Sequence, residues 1–409
     1  MGMNTNGFAT FPPNADRLVV VMGDIEMGAG GVLDDFPHSD ALGELILSYT
    51  RPPFDQLPVE LVFNGDTFDL LKTSYEGEYP RHVTRDVALA KMSRVAAAHP
   101  RFFSALRRFL ESGSAPRQVN FVYGNHDQEL FFPEVQKFIQ TLCGNAERVL
   151  FPGLQWEHGK VLVEHGAQYD KLFRVDPDRP FVKHNGEDIL NVPWGTVALL
   201  DTVMPLQPPL YFHDRLKPKR DVFAMMPEVK DLLMALFWKY WTKDYWKGFF
   251  GGGDPTKRLT WSMLKELVRR ITYKDPDVYM DGSLERRIRE SDSHRLYVVG
   301  HVHQAGWWGF GDRKVIQAGC LRNEYMLADE GRLLRPIPKS YCEVFMKDDE
   351  PVLSRLVELT CPEPPEGYIP ESIFDVLPQV REMLAEQTDR KKVREAEQAQ
   401  EEKEAQEAS

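Results

Sequence analysis

Val119-Asn-Phe-Val-Tyr123-Gly124-Asn125-His126-Asp127 is the stretch that decides the fold. A short, mostly apolar run rich in β-branched and aromatic residues, ended by Gly and a polar cluster, reads as a buried strand that stops at a turn. Four other segments share this form. They are Arg17–Met22 before Gly23-Asp24, Val59–Phe63 before Gly65-Asp66, Val161–Glu164 before His165, and Leu296–Val299 before Gly300-His301. In α/β proteins, ligands sit just past the C-terminal ends of strands. The repeated pattern therefore predicts an α/β fold in which five strand ends converge on one crevice.

Those ends bring together the carboxylates of Asp24, Glu26 and Asp66, the amide of Asn125, and the imidazoles of His126, His165, His301 and His303. Mixed oxygen and nitrogen donors suit Mn, Fe or Zn better than Ca. The set is too large for one ion and fits two ions sharing a bridging carboxylate. Two metals about 3.5–4 Å apart can clamp an in-line displacement at phosphorus. Each motif alone has a plainer reading: Gly-Asp as a turn, Asn125 as a cap, His301 and His303 as one face of a strand. The case for a metal centre rests on their joint placement.

Taken in order, Asp24-Ile25-Glu26, Gly65-Asp66-Thr67-Phe68-Asp69, Gly124-Asn125-His126-Asp127, His165-Gly166 and Gly300-His301-Val302-His303 resemble the signature of the calcineurin-like metallophosphoesterases. The resemblance covers about Arg17–Asp170 and Leu296–Leu359. It implies an αββα sandwich with two divalent metals at one rim. Carried over by position, it implies a first metal on Asp24, Glu26, Asp66 and His303, and a second on Asp66, Asn125, His165 and His301. A hydroxide between the ions would attack phosphorus. His126 would protonate the leaving oxygen, and Asp127 or Asp69 would assist these groups. The motif spacing looks like the UDP-2,3-diacylglucosamine hydrolase branch, which implies a lipid-linked pyrophosphate substrate under a helical lid.

Two departures from the family pattern matter. Glu26 stands where His is usual, and its harder, charged donor tilts the first site toward Mn or Mg and away from Zn. Ala167 follows His165-Gly166, where relatives often carry His or Asp, so an outer contact is expected to be lost. If the chain stays extended through Ile25, side-chain alternation turns both Asp24 and Glu26 to the crevice. No Lys or Arg lies close in sequence to pair with Glu26.

The stretch 83–112 reads as helical. More than a hundred residues separate His165 from Gly300, more than a compact core needs for a connection. Residues 171–292 are therefore expected to form an inserted, largely helical cap in a discontinuous core of 17–170 plus 293–360. Within the cap, Pro227 opens a helix with apolar residues at 229, 232, 233, 236, 237, 240 and 241. Packing on the core is the plain reading of that stripe. A lid or membrane-surface contact for a lipid-like substrate is the sharper one. Gly251-Gly252-Gly253-Asp254-Pro255 reads as a flexible turn rather than a phosphate loop, since no strand precedes it and no Gly-Lys-Ser/Thr follows. Residues 361–409 form a C-terminal extension whose end, from about Ala385, is rich in Glu, Gln, Lys and Ala and reads as exposed helix or disorder.

Among 409 residues, 62 Asp plus Glu outnumber 50 Lys plus Arg, a net charge of -12. This balance, with no long basic cluster, argues against nucleic acid as a partner and against a nuclease. The 4 cysteines are scattered without CxxC spacing, which argues against a thiolate zinc site or a disulfide framework. Met1–Asp16 lacks a basic start and an apolar run, and no segment approaches the roughly 20 apolar residues of a membrane span. The expectation is a cytoplasmic protein, with peripheral contact to the inner membrane through the cap as a variant. Its expected function is metal-dependent hydrolysis of a phosphomonoester, phosphodiester or pyrophosphate, on a phosphorylated small-molecule or lipid-linked substrate. The alternative from another class is a non-catalytic scaffold on the same fold. The nearly complete ligand set favours the enzyme.

Overall fold

Strands β1 (Arg17–Met22), β2 (Val59–Asn64) and β3 (Arg117–Val122) lie parallel and adjacent, with Val20 opposite Leu61 and Leu61 opposite Val119. The computed structural model describes residues 12, 14–113, 115–204, 210–240, 253–256, 258–272, 282–331, 333–370 and 372–386. β4 (Val149–Gly153) extends this sheet on one side. On the other side β15 (Lys339–Lys347) and β16 (Glu350–Leu359) close it in the order β16-β15-β1-β2-β3-β4. A second sheet has the order β11-β12-β10-β6-β5. It contains β5 (Gln155–His158), β6 (Val161–Glu164), β10 (Leu296–Val299), β11 (Ala305–Phe310) and β12 (Arg313–Ala318). β6 and β10 run parallel, Val161 opposite Leu296.

The near-continuous apolar character of β1 follows from burial on both faces. Val19 and Val21 point between the sheets, where they join Val62, Val122, Val163, Val298 and Ile316. Leu18, Val20 and Met22 point the other way, toward the helices. Those helices include α1 (Ser39–Ser48), α2 (Arg85–Ala98), α3 (Pro100–Glu111) and α4 (Pro133–Cys143). The stretch expected to be helical is thus two helices, split where Pro100 cannot continue a helix and disfavours helical backbone at His99. Helix α9 (Ser283–Glu290) covers the outer face of the second sheet, burying Leu284 and Ile288 against Leu162, Tyr297 and Val299. The layers are helix, sheet, sheet, helix.

The insertion differs from a simple helical cap. It contains a hairpin of β7 (Phe181–His184) and β8 (Glu187–Leu190), then α5 (Trp194–Thr202), β9 (Leu216–Lys217), α6 (Lys219–Met225), α7 (Pro227–Lys239) and α8 (Trp261–Thr272). Leu190, Val192 and Val197 join the main core, and α9, inside the expected cap boundary, is a layer of the sandwich. α7 buries Val229 and Leu232 in a cluster with Tyr325 and with Ile373, Val376 and Val380 of the C-terminal extension. That cluster is distinct from the core of the sandwich, so these two residues pack chiefly within the insertion and on the C-terminal extension rather than on the main core as expected; Trp241 lies outside the described residues. So do Gly251, Gly252 and residues 387–409. Asp254 pins the turn that follows those glycines, 2.7 Å from Arg81 and 3.2 Å from His82.

Candidate active site

The loops after β1 and β2 run side by side. Asp24 N donates to Gly65 O at 3.1 Å, Glu26 N to Asp66 O at 2.9 Å, and Met27 N to Thr67 O at 3.1 Å. Candidate ligands in these loops and in the loop after β10 adopt left-handed backbone: φ is +49° at Asp24, +54° at Glu26, +48° at Asp66, +70° at His301 and +61° at His303. Such conformations cost non-glycine residues about 1–3 kcal/mol each and persist where the surroundings over-determine them. Two glycines leave room for the carboxylates. A Cβ on Gly300 would lie 2.6 Å from Asp24 Oδ2, and one on Gly124 would collide with Asp66 Oδ1. Extended alternation through Ile25 therefore does not occur. Ile25 is buried in the core as expected, but Asp24 and Glu26 reach the crevice through left-handed turns after the strand has ended.

Asp66, Asn125, His165 and His301 form one tight donor group. His165 Nε2 lies 3.1 Å from Asp66 Oδ2 and 3.2 Å from Asn125 Oδ1, while its Nδ1 faces the Asn64 carbonyl at 3.0 Å. Ligand atoms of Asp66, His165 and His301 lie within 4.8 Å of one another. His301 Nε2 is buried without a hydrogen-bond partner; Asp170 Oδ2 stands 3.5 Å away, itself gripped at 2.8 Å and 2.9 Å by Arg270 from α8. Asp170 thus brings an outer carboxylate to the second His pair, three residues after the Ala167 position where that contact was expected to be lost. Around the other group, His303 Nε2 lies 3.2 Å from Asp24 Oδ1 and 3.7 Å from Glu26 Oε1, and its Nδ1 meets Glu324 Oε1 at 2.7 Å. An ion bound at about 2.0–2.2 Å from each donor needs separations of this order, and the ligand atoms of Asp66, His165 and His301 meet it together, while Asp24 and Glu26 each approach His303 singly. Burial opposes charge on His165 and His303, but the surrounding carboxylates outweigh it and push both up to about 9.

Glu26 has basic partners after all, brought in from far along the chain. Arg322 Nη1 lies 2.7 Å from each of its oxygens, and Lys72 Nζ donates to Oε2 at 3.0 Å. Burial disfavours its charged form, yet Arg322 and Lys72 hold the carboxyl well below the usual range. The same two cations bind Asp35 and Asp214, and Lys72 also lies 3.2 Å from Asp69.

His126 faces the same cleft, with its backbone N–H donating to Asp66 Oδ1 at 2.7 Å and its ring Nδ1 3.1 Å from Asp69 Oδ1. Burial works against its protonation, but Glu26, Asp66 and Asp69 overcome it and push the imidazole up to about 10. Asp127, expected among the catalytic residues, is fully buried instead. Its oxygens accept from Gly124 N at 2.7 Å and Thr67 N at 2.8 Å, bracing one motif loop against another. Asp69 is the carboxylate that meets His126.

Lys72, Arg322 and Glu324 escaped the sequence reading, as did Asp170. A signal existed for two of them. Gly319-Cys-Leu-Arg322-Asn-Glu324 begins with Gly just past β12 and is one more polar strand end.

No family model matches this sequence, and no curated protein matches it. Among solved structures, the chain is similar to an archaeal phosphodiesterase at 9% identity and a TM-score of 0.29, over 84% of this chain and 99% of that one. It is similar to a dimetal phosphatase from Danio rerio at 11% identity and a TM-score of 0.33, over 85% and 100%. A phosphopantetheinyl hydrolase from Mycobacterium tuberculosis gives 12% identity and a TM-score of 0.27, over 79% and 96%. Scores this low leave the case to the residues themselves. Among the described residues, no helix is long and apolar enough to cross a membrane.

Proposed function

We propose that this chain is a metal-dependent phosphoester hydrolase of the calcineurin-like kind. The observation that carries the reading is the convergence of five left-handed ligand positions, from three separate loops, on one buried crevice of oxygen and nitrogen donors. Asp24, Glu26, Asp66 and His303 would hold one divalent ion, and Asp66, Asn125, His165 and His301 the other, with Asp66 shared. Ions bound there supply an acidified water as nucleophile and neutralise charge on the phosphoryl oxygens.

The chain's own groups do the rest. Asn64 O and Glu324 fix the tautomers of His165 and His303, so that each presents Nε2 to the donor group. His126, held by Asp69, would deliver its proton to the departing oxygen. Leu71, Leu199, Val203 and Met204 line one wall of the cleft and exclude water from that side. This apolar wall supports a substrate with an apolar moiety, including a lipid-linked pyrophosphate. Glu26 adds an oxygen donor that favours Mn, while Arg322 and Lys72 balance its charge.

The test is metal analysis of the purified protein joined to hydrolysis of bis(p-nitrophenyl) phosphate before and after chelation. Metal bound in the native protein, with hydrolysis lost on chelation and restored by Mn, is expected. Undiminished hydrolysis by the metal-stripped protein would reject the mechanism. Metal bound without hydrolysis of any mono-, di- or pyrophosphoester would favour a scaffold.

A further inference from the structure

The cleft has a second wall of opposite character. The segment after residue 210 lays β9 beside β13 (Tyr325–Ala328), with Leu216 opposite Tyr325 and Lys217 opposite Met326. This brings Lys217 and Lys219 to the cleft that also contains Asp66, His126 and His301.

The cations of this cleft are unequally matched. Lys72 and Arg322 share Glu26, Asp35 and Asp214 between them. Lys217 Nζ has only Glu324 among the described residues, at 3.5 Å, and that carboxylate already binds His303 at 2.7 Å. Lys219 Nζ donates to the neutral carbonyl of His213 at 2.7 Å and pairs with no carboxylate among the described residues. Asp214, the acid next to His213, is occupied by Lys72 at 2.6 Å and Arg322 at 3.1 Å. Half-buried ammonium groups are costly unless paired, so a pair left without dedicated counter-ions beside a candidate phosphoryl site calls for an anion from outside.

We propose that Lys217 and Lys219 form an anion subsite beside the metal centre, so that the substrate is a phosphoester carrying a second anionic group, a carboxylate or a further phosphate, on the side of the insertion. The inference rests on the phosphoester reading of the centre and adds the charge of the substrate's far end. Burial pushes Lys219 down to about 7, in keeping with an ammonium that lacks a carboxylate of its own.

Calorimetry on the metal-loaded protein tests it with three probes: propylphosphonate, 3-phosphonopropionate and propane-1,3-bisphosphonate. At pH 6.5, at least one dianionic probe should bind tenfold or more tightly than propylphosphonate. In the Lys217→Met, Lys219→Met double variant that ratio should fall to near one. The double Gln variant serves if the Met variant does not fold, and circular dichroism with metal content checks both. The better of the carboxylate and phosphonate probes identifies the anion. Equal affinities in the wild-type protein, or a preference that survives in the double variant, would overturn the subsite while leaving the metal centre standing. Failure of all three probes to bind would remove the phosphoester reading and the subsite with it.

Discussion

Arg322 Nη1 stands 2.7 Å from both carboxylate oxygens of Glu26, nearly three hundred residues away in sequence. Where the family resemblance leads one to expect His, the chain has a carboxylate, and a buried guanidinium takes up the extra charge. The pair therefore has to be altered together. Glu26→His alone would remove one of the three carboxylates that Arg322 and Lys72 share and leave both cations beside an incoming metal ion. It should lower metal content and rate about tenfold or more, and adding Arg322→Gln should restore much of both, a coupling of the size contacting charged residues show. Metal analysis and kcat for the two single variants and the double variant check this. Full metal content and rate in Glu26→His alone would show that the compensation is unnecessary. Arg322→Ala should destabilise the fold, since Glu26, Asp35 and Asp214 would lose one of the two cations they share and crowd onto Lys72.

Asp66→Asn should cost more activity and more metal than any other single ligand change. Asp66 Oδ2 meets His165 at 3.1 Å while Oδ1 accepts from the His126 backbone N at 2.7 Å, and a ligand atom of Asp66 lies within 4.8 Å of one of Glu26, so one side chain stands between the donor groups and also holds the loop that carries the acid. His126→Gln should behave differently, keeping the metal and losing roughly a hundredfold or more in rate on substrates with a poor leaving group. Loss of metal from the His126 variant would assign that residue to the ligands.

The two-layer sheet and its rim were legible because each central strand is a short, doubly buried apolar run ended by a glycine and a polar residue. Asp24, Asp66, Asn125, His165, His301 and His303 follow from that one rule, and the structure brings them together. What escaped was set by long-range contact. Nothing local to Lys72 or Arg322 announces that both fold onto Glu26, and nothing near Asp170 announces Arg270, a hundred residues on. The strand-alternation argument for Glu26 failed because β1 ends at Met22, before the residues it was applied to. The insertion was harder still. Its hairpin strands of four residues, Phe181–His184 and Glu187–Leu190, are too short to stand out by periodicity from helical surroundings.

Glu324→Gln should weaken the centre without removing a ligand. Its carboxylate accepts from His303 Nδ1 at 2.7 Å, fixing the tautomer and raising the basicity of Nε2. Changes of this kind cost about 10–100-fold in metal affinity or activity. Competition with a metal chelator gives the affinity directly. An affinity unchanged within twofold would reduce Glu324 to a packing role.

The basic wall should make ligand preference depend on pH, with a definite sign. Burial, the largest influence on Lys219, disfavours its charge, with Lys217 and Arg322 acting in the same direction and Asp214 and Glu324 opposing, for a net fall to about 7. His213, pushed down to about 4 chiefly by burial, stays neutral in this range and offers only its carbonyl. The charged ammonium is therefore present below about 7 and lost above it. The preference for 3-phosphonopropionate over propylphosphonate should grow as pH falls through 7 and shrink toward the contribution of Lys217 alone at higher pH. Stability should move the opposite way. Between about 7 and the ordinary lysine value near 10.4 the unfolded chain binds the extra proton, so this group makes the fold more stable as pH rises through that window and imposes its full cost below it. Lys219→Arg, charged throughout, should flatten the pH dependence of the preference while keeping the preference itself. Affinity ratios measured from pH 6 to pH 9 on the wild-type and Lys219→Arg proteins decide the matter: a flat wild-type ratio would show that Lys219 does not face the anion, and a slope that persists in the Arg variant would show that another group titrates.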